Sequence, residues 1–226
     1  MHFDKGGMKS MAVSDYLGRF WFSAEPMFGV IMVVCFTSLF RLNSDIPDSI
    51  VDIVLQSALA CCFAWGLVDG IFYVWEGRFE TRRKKKVFND LNKGEKVEAT
   101  HLIDSAMADT YLDYLDEKER KDVIEKISQG MKKDDPPSGS LKDDLTTIAI
   151  TVGLVLGTGA FVILPFYLID DLGDALVTSN MMCIMVLFIL GFYRKETNNL
   201  VEKMGSGIVT ALVGVIITVV TVILGG

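Results

Sequence analysis

Histidine is nearly absent from this chain, with 2 in 226 residues, and cysteine is scarce, with 4. Cys35, Cys61, Cys62 and Cys183 each lie in an apolar run, and none has a C-x-x-C spacing. That argues against both a zinc site and a disulfide framework. The sequence holds no Ser/His/Asp set, no phosphate-binding loop and no nucleotide motif, so neither covalent catalysis nor ATP-driven work is expected. Bases are outnumbered, 22 against 29 acids, and the net charge of −7 discourages a nucleic-acid partner. The first 19 residues are polar and carry no cleavable-signal pattern, so the first apolar run is expected to be retained.

What the chain has is apolar length. Half of its residues are hydrophobic and the mean hydropathy is +0.38. Phe20–Leu42, Ile50–Trp75, Leu145–Ile169, Ala175–Tyr193 and Gly207–Gly226 each approach the roughly 20 residues that cross a bilayer as a helix. A buried helix of that length in a soluble domain would show a polar face, and these mostly do not. The expected fold is an all-α membrane protein with five transmembrane helices.

Basic residues orient the spans. Of 22 Lys and Arg, only Arg41 falls in a segment that the alternation places outside. Lys5, Lys9, Arg19, "GRFETRRKKK", Arg194, Lys195 and Lys203 all fall on the opposite side. The positive-inside rule then predicts a cytoplasmic N-terminus and an external C-terminus in the cell membrane. Residues 1–76 would hold the first two spans, 77–142 a cytoplasmic helical insert, and 143–226 the last three spans.

The charge is uneven: Asn89 to Asp144 carries fifteen acids against nine bases. "RRKKK" is expected to touch anionic headgroups. Val97, Ile103, Met107, Tyr111 and Leu115 recur at near-helical spacing and predict a helix over 93–115. Asp116 and Glu119 form a capping-box pattern, opening a second helix that would stop at Gly130. "KKDDPPSGS" reads as a linker.

The chemistry lies in "AWGLVDGIFYVWE", Ala64–Glu76, where Asp69 interrupts an apolar run. At about 1.5 Å per residue, Asp69 sits roughly 10 Å from the cytoplasmic end of its helix, and Glu25 roughly 8 Å into the first. Helices one and two are antiparallel and joined by a short loop, so both carboxylates fall at nearly one depth. Each costs about 2.5–3.5 kcal/mol at a helix centre, and such groups persist when they face a cavity, pair, or carry an ion. Glu25, Gly29, Met32 and Phe36 form one stripe, and Cys62, Trp65, Asp69, Tyr73 and Glu76 another. Carboxylates beside a thioether or thiol would suit Fe²⁺ or Mn²⁺. The alternative is structural: carboxylates in interhelical contacts or at the interface, with Met27, Met32, Cys61 and Cys62 as packing. Pro26 can loosen the hydrogen-bond ladder beside Glu25, and Pro165 can break the third helix. Glu98 with His101, and Asp109 with Asp113, each share a helix face in the insert and are candidate cation collectors. The same residues also fit a solvated face. Gly153-x-x-x-Gly157, and Gly207 with Ala211, offer close helix approach, within one chain or to a second copy. Ser179 and Asn180 would hydrogen-bond between helices.

Five segments, in order, resemble the bacterial and archaeal branch of the vacuolar iron transporter family. They are "EPMFGVIMVVCFT", "AWGLVDGIFY", "LPFYLIDD", "SNMMCIMVLFILG" and the last helix with its glycines and threonines. The resemblance covers nearly the whole chain and is weakest over 89–135. It implies a five-helix, N-in, C-out homodimer in the lipid bilayer that exchanges Fe²⁺ or Mn²⁺ for protons, with a cytoplasmic helical domain collecting metal. Asp69-Gly70 stands in the second helix where that family has its Asp-Gly in the first, and Glu25 stands in the first instead. The family's membrane methionine would correspond to Met27 or Met32. On the reading of the residues themselves, the candidate metal-site residues are Glu25, Asp69, Met32 and Tyr73 in the membrane, with Glu98 and His101 in the insert. A channel or carrier for another solute, and a scaffold binding a partner through the acidic insert, are the alternatives.

Overall fold

The computed structural model describes residues 13–41, 46–107, 114–131 and 139–223, and among them every regular element is helical. In chain order these are α1 (Val13–Thr37), a 3-10 turn (Ser38–Arg41), α2 (Asp48–Lys93), α3 (Lys96–Met107) and α4 (Glu117–Met131), followed by α5 (Leu141–Ile163), α6 (Pro165–Leu168), α7 (Leu172–Arg194) and α8 (Leu200–Ile223). Five helical stretches are long and apolar enough to cross a membrane: Trp21–Phe40, Asp48–Lys93, Leu141–Leu168, Leu172–Arg194 and Leu200–Ile217. Their outward faces carry large apolar side chains such as Phe72, Val177 and Ile216, which suits a multi-pass membrane protein.

The chain forms two compact units, Met1–Tyr73 with Leu145–Gly226, and Val74–Asp144. In the first, Val30, Val33, Leu55, Val155 and Leu187 build one apolar core from α1, α2, α5 and α7. Glycine sets how closely these helices approach. A Cβ on Gly29 would lie 2.3 Å from the Val155 carbonyl oxygen, and one on Gly66 or Gly70 would lie 2.8 Å from the Cα of Val152 or Ile148. Backbone therefore meets backbone where α1 and α2 touch α5, as small residues allow between membrane helices.

The second unit is closed by Val87 and Leu91 of α2, Ala99, Ile103 and Met107 of α3, and Ile124 of α4. The Asp116–Glu119 capping box is formed at the start of α4. Glu119 N–H donates to Asp116 Oδ1 at 2.7 Å, and Asp116 N–H donates to Glu119 Oε2 at 3.3 Å.

Several boundaries differ from the sequence expectation, each for a local reason. The second helix does not end near Trp75 but runs unbroken to Lys93. Residues 77–93 are polar yet lack proline, and Lys84 pairs with Glu80 one turn back at 3.9 Å. Hydropathy marks where the apolar environment ends, not where the backbone stops being helical. The stop comes at Gly94, whose φ of +88° closes the helix as Glu95 N–H donates to the Asp90 carbonyl at 2.9 Å. α3 starts at Lys96, later than the predicted 93, and is described as far as Met107; Val97 is 85% exposed instead of joining the buried face. Gly94 delays the helix, and the face it then presents is Ala99, Ile103 and Met107. Tyr111 and most of "KKDDPPSGS" lie outside the described residues. α4 passes through Gly130 to Met131.

Pro26 sits inside α1 without ending it. Pro165 does separate two helices: α5 stops at Ile163 and Pro165 opens the short α6. Asp171 then caps α7, accepting from Asp174 N–H at 2.8 Å. α8 begins at Leu200, seven residues before the apolar run at Gly207. Ser179 reaches between helices, donating to the Val162 carbonyl at 2.7 Å, whereas Asn180 donates within its own helix to Leu176.

Candidate functional site

α1 and the first half of α2 run antiparallel in a readable register. Trp21 stacks on Tyr73 with ring centroids 5.6 Å apart, and Phe28 on Trp65 at 6.0 Å. Deeper still, the Cys61 thiol points at Met32 Sδ at 3.6 Å. As α1 numbers rise, their partners on α2 fall in step. Glu25 lies between Trp21 and Phe28, and Asp69 between Tyr73 and Trp65, so the two carboxylates share a level. Asp69 lies within electrostatic reach of Glu25.

Glu25 has no exposed surface at all. The Tyr73 hydroxyl donates to its Oε1 in a short hydrogen bond, while its buried Oε2 has no partner among the described residues. Asp69 is half-buried, with Trp65 one turn earlier on α2. An ionised carboxylate buried with one of its oxygens unpartnered is costly unless a positive charge joins it, and a protonated one is far less so.

The other membrane candidates are placed apart from this pair. Met32 is seven residues beyond Glu25 on α1, about 10 Å along the axis, too far for one coordination sphere to include both. Its sulfur instead meets Cys61. Cys62 points its thiol at the Gly29 carbonyl, 3.8 Å away, within the core. The polar side chains around Glu25 are thus oxygen-bearing: Tyr73 in contact with it, and Asp69 at the same level on α2. Among the described residues no three His, Cys, Asp or Glu side chains group to hold a metal ion.

In the second unit, Glu98 and His101 are both exposed. Glu98 pairs with Lys86 at 3.7 Å, while His101 lines a groove of about 700 Å³ with Asp104, Arg120 and Lys121. The spacing puts them on one face, but they turn to different partners. Asp109 and Asp113 lie outside the described residues. The "RRKKK" run is partly engaged within the unit: Arg83 donates to Ser105 Oγ at 2.8 Å, and Lys84 and Lys86 pair with Glu80 and Glu98.

Two features escaped the sequence. Asp90 is buried with no partner for its Oδ2 among the described residues, and its position late in a polar helix gave no signal. A cavity of about 1750 Å³ opens among α1, α5, α7 and α8, with Arg194, Lys195 and Lys203 along its lining. The cluster of bases was visible, but the hollow beside it was not. Compared with protein-family models and with curated proteins, the chain matches none.

Proposed function

We propose that the chain is a membrane transporter that exchanges a divalent metal cation, of the Fe²⁺ or Mn²⁺ type, for protons. The observation that carries this reading is Glu25: fully buried, one oxygen held by Tyr73, the other unpartnered, and Asp69 at the same level on the next helix. The all-oxygen donor set favours Mn²⁺ over softer ions. The order of the five segments, which resembles the vacuolar iron transporter family, supports the same class and a homodimer.

In this reading the N-terminus is cytoplasmic, as the placement of the basic residues requires. The unit of residues 74–144 is then the cytoplasmic insert. Metal entering from the cytoplasm displaces protons from the Glu25–Asp69 pair. Two carboxylates at one level repel each other when both are ionised, so together they take either a proton or a cation. Tyr73 holds Glu25 Oε1 and leaves Oε2 for the ion. Proton return from the outer side releases the metal.

The test is reconstitution of the full chain in liposomes, with an internal pH dye and a Mn²⁺ gradient. The wild type moves protons against Mn²⁺. Glu25→Gln keeps an oxygen for Tyr73 to donate to, so its thermal midpoint holds while coupled flux falls to background. Asp69→Asn does the same, and the double variant is little worse than either single, as expected for members of one site. Retained coupled flux in either single variant overturns the paired-carboxylate site. Mn²⁺ uptake with no proton movement would assign a channel.

A further inference from the structure

The 1750 Å³ cavity is lined on α1 by Phe22, Ser23 and Pro26 and not by Glu25, and its chemistry is of the opposite sign to that carboxylate. Its apolar wall is Gly153, Gly157 and Phe161 of α5 with Val186 and Leu190 of α7. At one end stand Arg194, Lys195 and Lys203, with Glu196 the one acid in the lining among the described residues, and Ser206 and Asn198 beside them. Lys203 is steadied over the Phe192 ring, 5.8 Å from its centroid. From Gly153 to Phe161 the wall extends about 12 Å along the helix.

We infer that this cavity is a binding site for one anionic phospholipid, its phosphate at Arg194, Lys195 and Lys203 and an acyl chain along the Gly153–Phe161 wall. Three observations select that occupant. The volume exceeds the roughly 300–1,000 Å³ of small-molecule sites. The site is amphiphilic in one direction, with basic groups at one end and apolar wall beyond. The glycines leave the wall bare: a Cβ on Gly153 or Gly157 would meet nothing within 4 Å. A second copy of this chain, the other occupant a G-x-x-x-G face invites, fits the charge less well. A two-fold interface brings the same patch to itself, and here that would set the basic ends of the two chains together. Basic pockets between membrane helices suit anionic headgroups on electrostatic grounds.

The experiment is native mass spectrometry of the full chain in mild detergent, with dioleoyl phosphatidylglycerol or dioleoyl phosphatidylcholine added in equal amounts. The wild type retains one phosphatidylglycerol per chain, with a preference of about tenfold to thirtyfold over phosphatidylcholine. Lys195→Gln with Lys203→Gln brings that preference to near parity. Gly157→Leu fills the bare wall without clash, lowers retention of both lipids, and leaves the thermal midpoint unchanged. Equal retention of the two lipids by the wild type overturns the site, and so does full retention in Gly157→Leu. Displacement of the phospholipid by inorganic phosphate alone would reduce the site to an anion site. If Gly157→Leu converts a dimer to a monomer while lipid retention is unaltered, the wall belongs to a second copy. No readout involves metal flux, so failure here leaves the Glu25 reading standing, and the reverse holds too.

Discussion

The two units are held together by different means. In the unit of residues 1–73 and 145–226, helices meet backbone to backbone at Gly29, Gly66 and Gly70, and the exposed faces are apolar. In the unit of residues 74–144, a few apolar side chains are enclosed by charge. Arg120 donates to Asp104 at 2.5 Å, Arg78 Nε to Asp144 at 2.7 Å, and Arg83 holds Ser105. The contrast follows from solvent. Lipid gives little hydrophobic drive between helices, so contact there depends on close steric fit, while water makes a small apolar patch worth burying. It also separates functions. A buried carboxylate such as Glu25 gains meaning only where water is excluded, whereas the surface pairs of the second unit are exchangeable.

That contrast can be broken at several points. The largest effect is expected for Ile103→Ala, which removes most of a side chain from the small core of the second unit. It should cost about 2–4 kcal/mol and be confined to α3, α4 and the part of α2 within residues 74–93. Hydrogen exchange on the full chain checks this: faster exchange in α1 or α7 would show that the units are not separately stabilised. Next comes Gly29→Ala, which sets a methyl against the Val155 carbonyl. About 1–3 kcal/mol of destabilisation is expected, measured as a lower thermal midpoint, while Gly153→Ala, where nothing stands within 4 Å, leaves the midpoint in place. Equal behaviour of the two glycines would remove close approach as the organising feature. Asp116→Ala deletes the cap of α4 and should cost about 1 kcal/mol, again visible in exchange at the first turn of α4 alone.

The smallest effect is the pH response of the Glu117–Lys121 pair on α4. The hydrogen bond from Lys121, and then its charge, holds the Glu117 carboxyl below its ordinary value, and the same bond raises the lysine. A lowered carboxyl contributes stability above its unfolded pKa and loses it as pH falls through the folded one. A raised lysine contributes below its unfolded pKa and loses it as pH rises through the folded one. The pair therefore helps α4 across neutral pH and fades at both extremes, and because both groups are fully exposed, added salt should largely abolish the difference. An α4 exchange profile that keeps its pH dependence in high salt would point to a cause other than this pair.

The parts of the fold that could be read in advance were those with a local cause. Five spans follow from composition, because a membrane helix satisfies its own backbone and must show apolar side chains wherever lipid touches it. The capping box at Asp116 and the break at Pro165 are also local. The continuation of α2 past Trp75 was not legible, since hydropathy registers the environment and a run of Glu, Arg and Lys is as helical as a run of Leu. Nor was the separation of Glu98 from His101: one face was right, but the choice of partner belongs to Lys86.

From sequence alone, Glu25 and Asp69 are expected at one level, because a fixed rise per residue and an antiparallel pair leave little freedom. Their apolar surroundings are equally plain in the residues that flank them. What each polar group meets is a matter of packing. Tyr73 reaches Glu25 across 48 residues of chain, and Met32 turns to Cys61. The physical reason is rotation. A helix that is apolar nearly all round carries no face in its pattern, so its orientation about its own axis is set by where neighbouring backbones can approach, here by Gly29, Gly66 and Gly70 against α5.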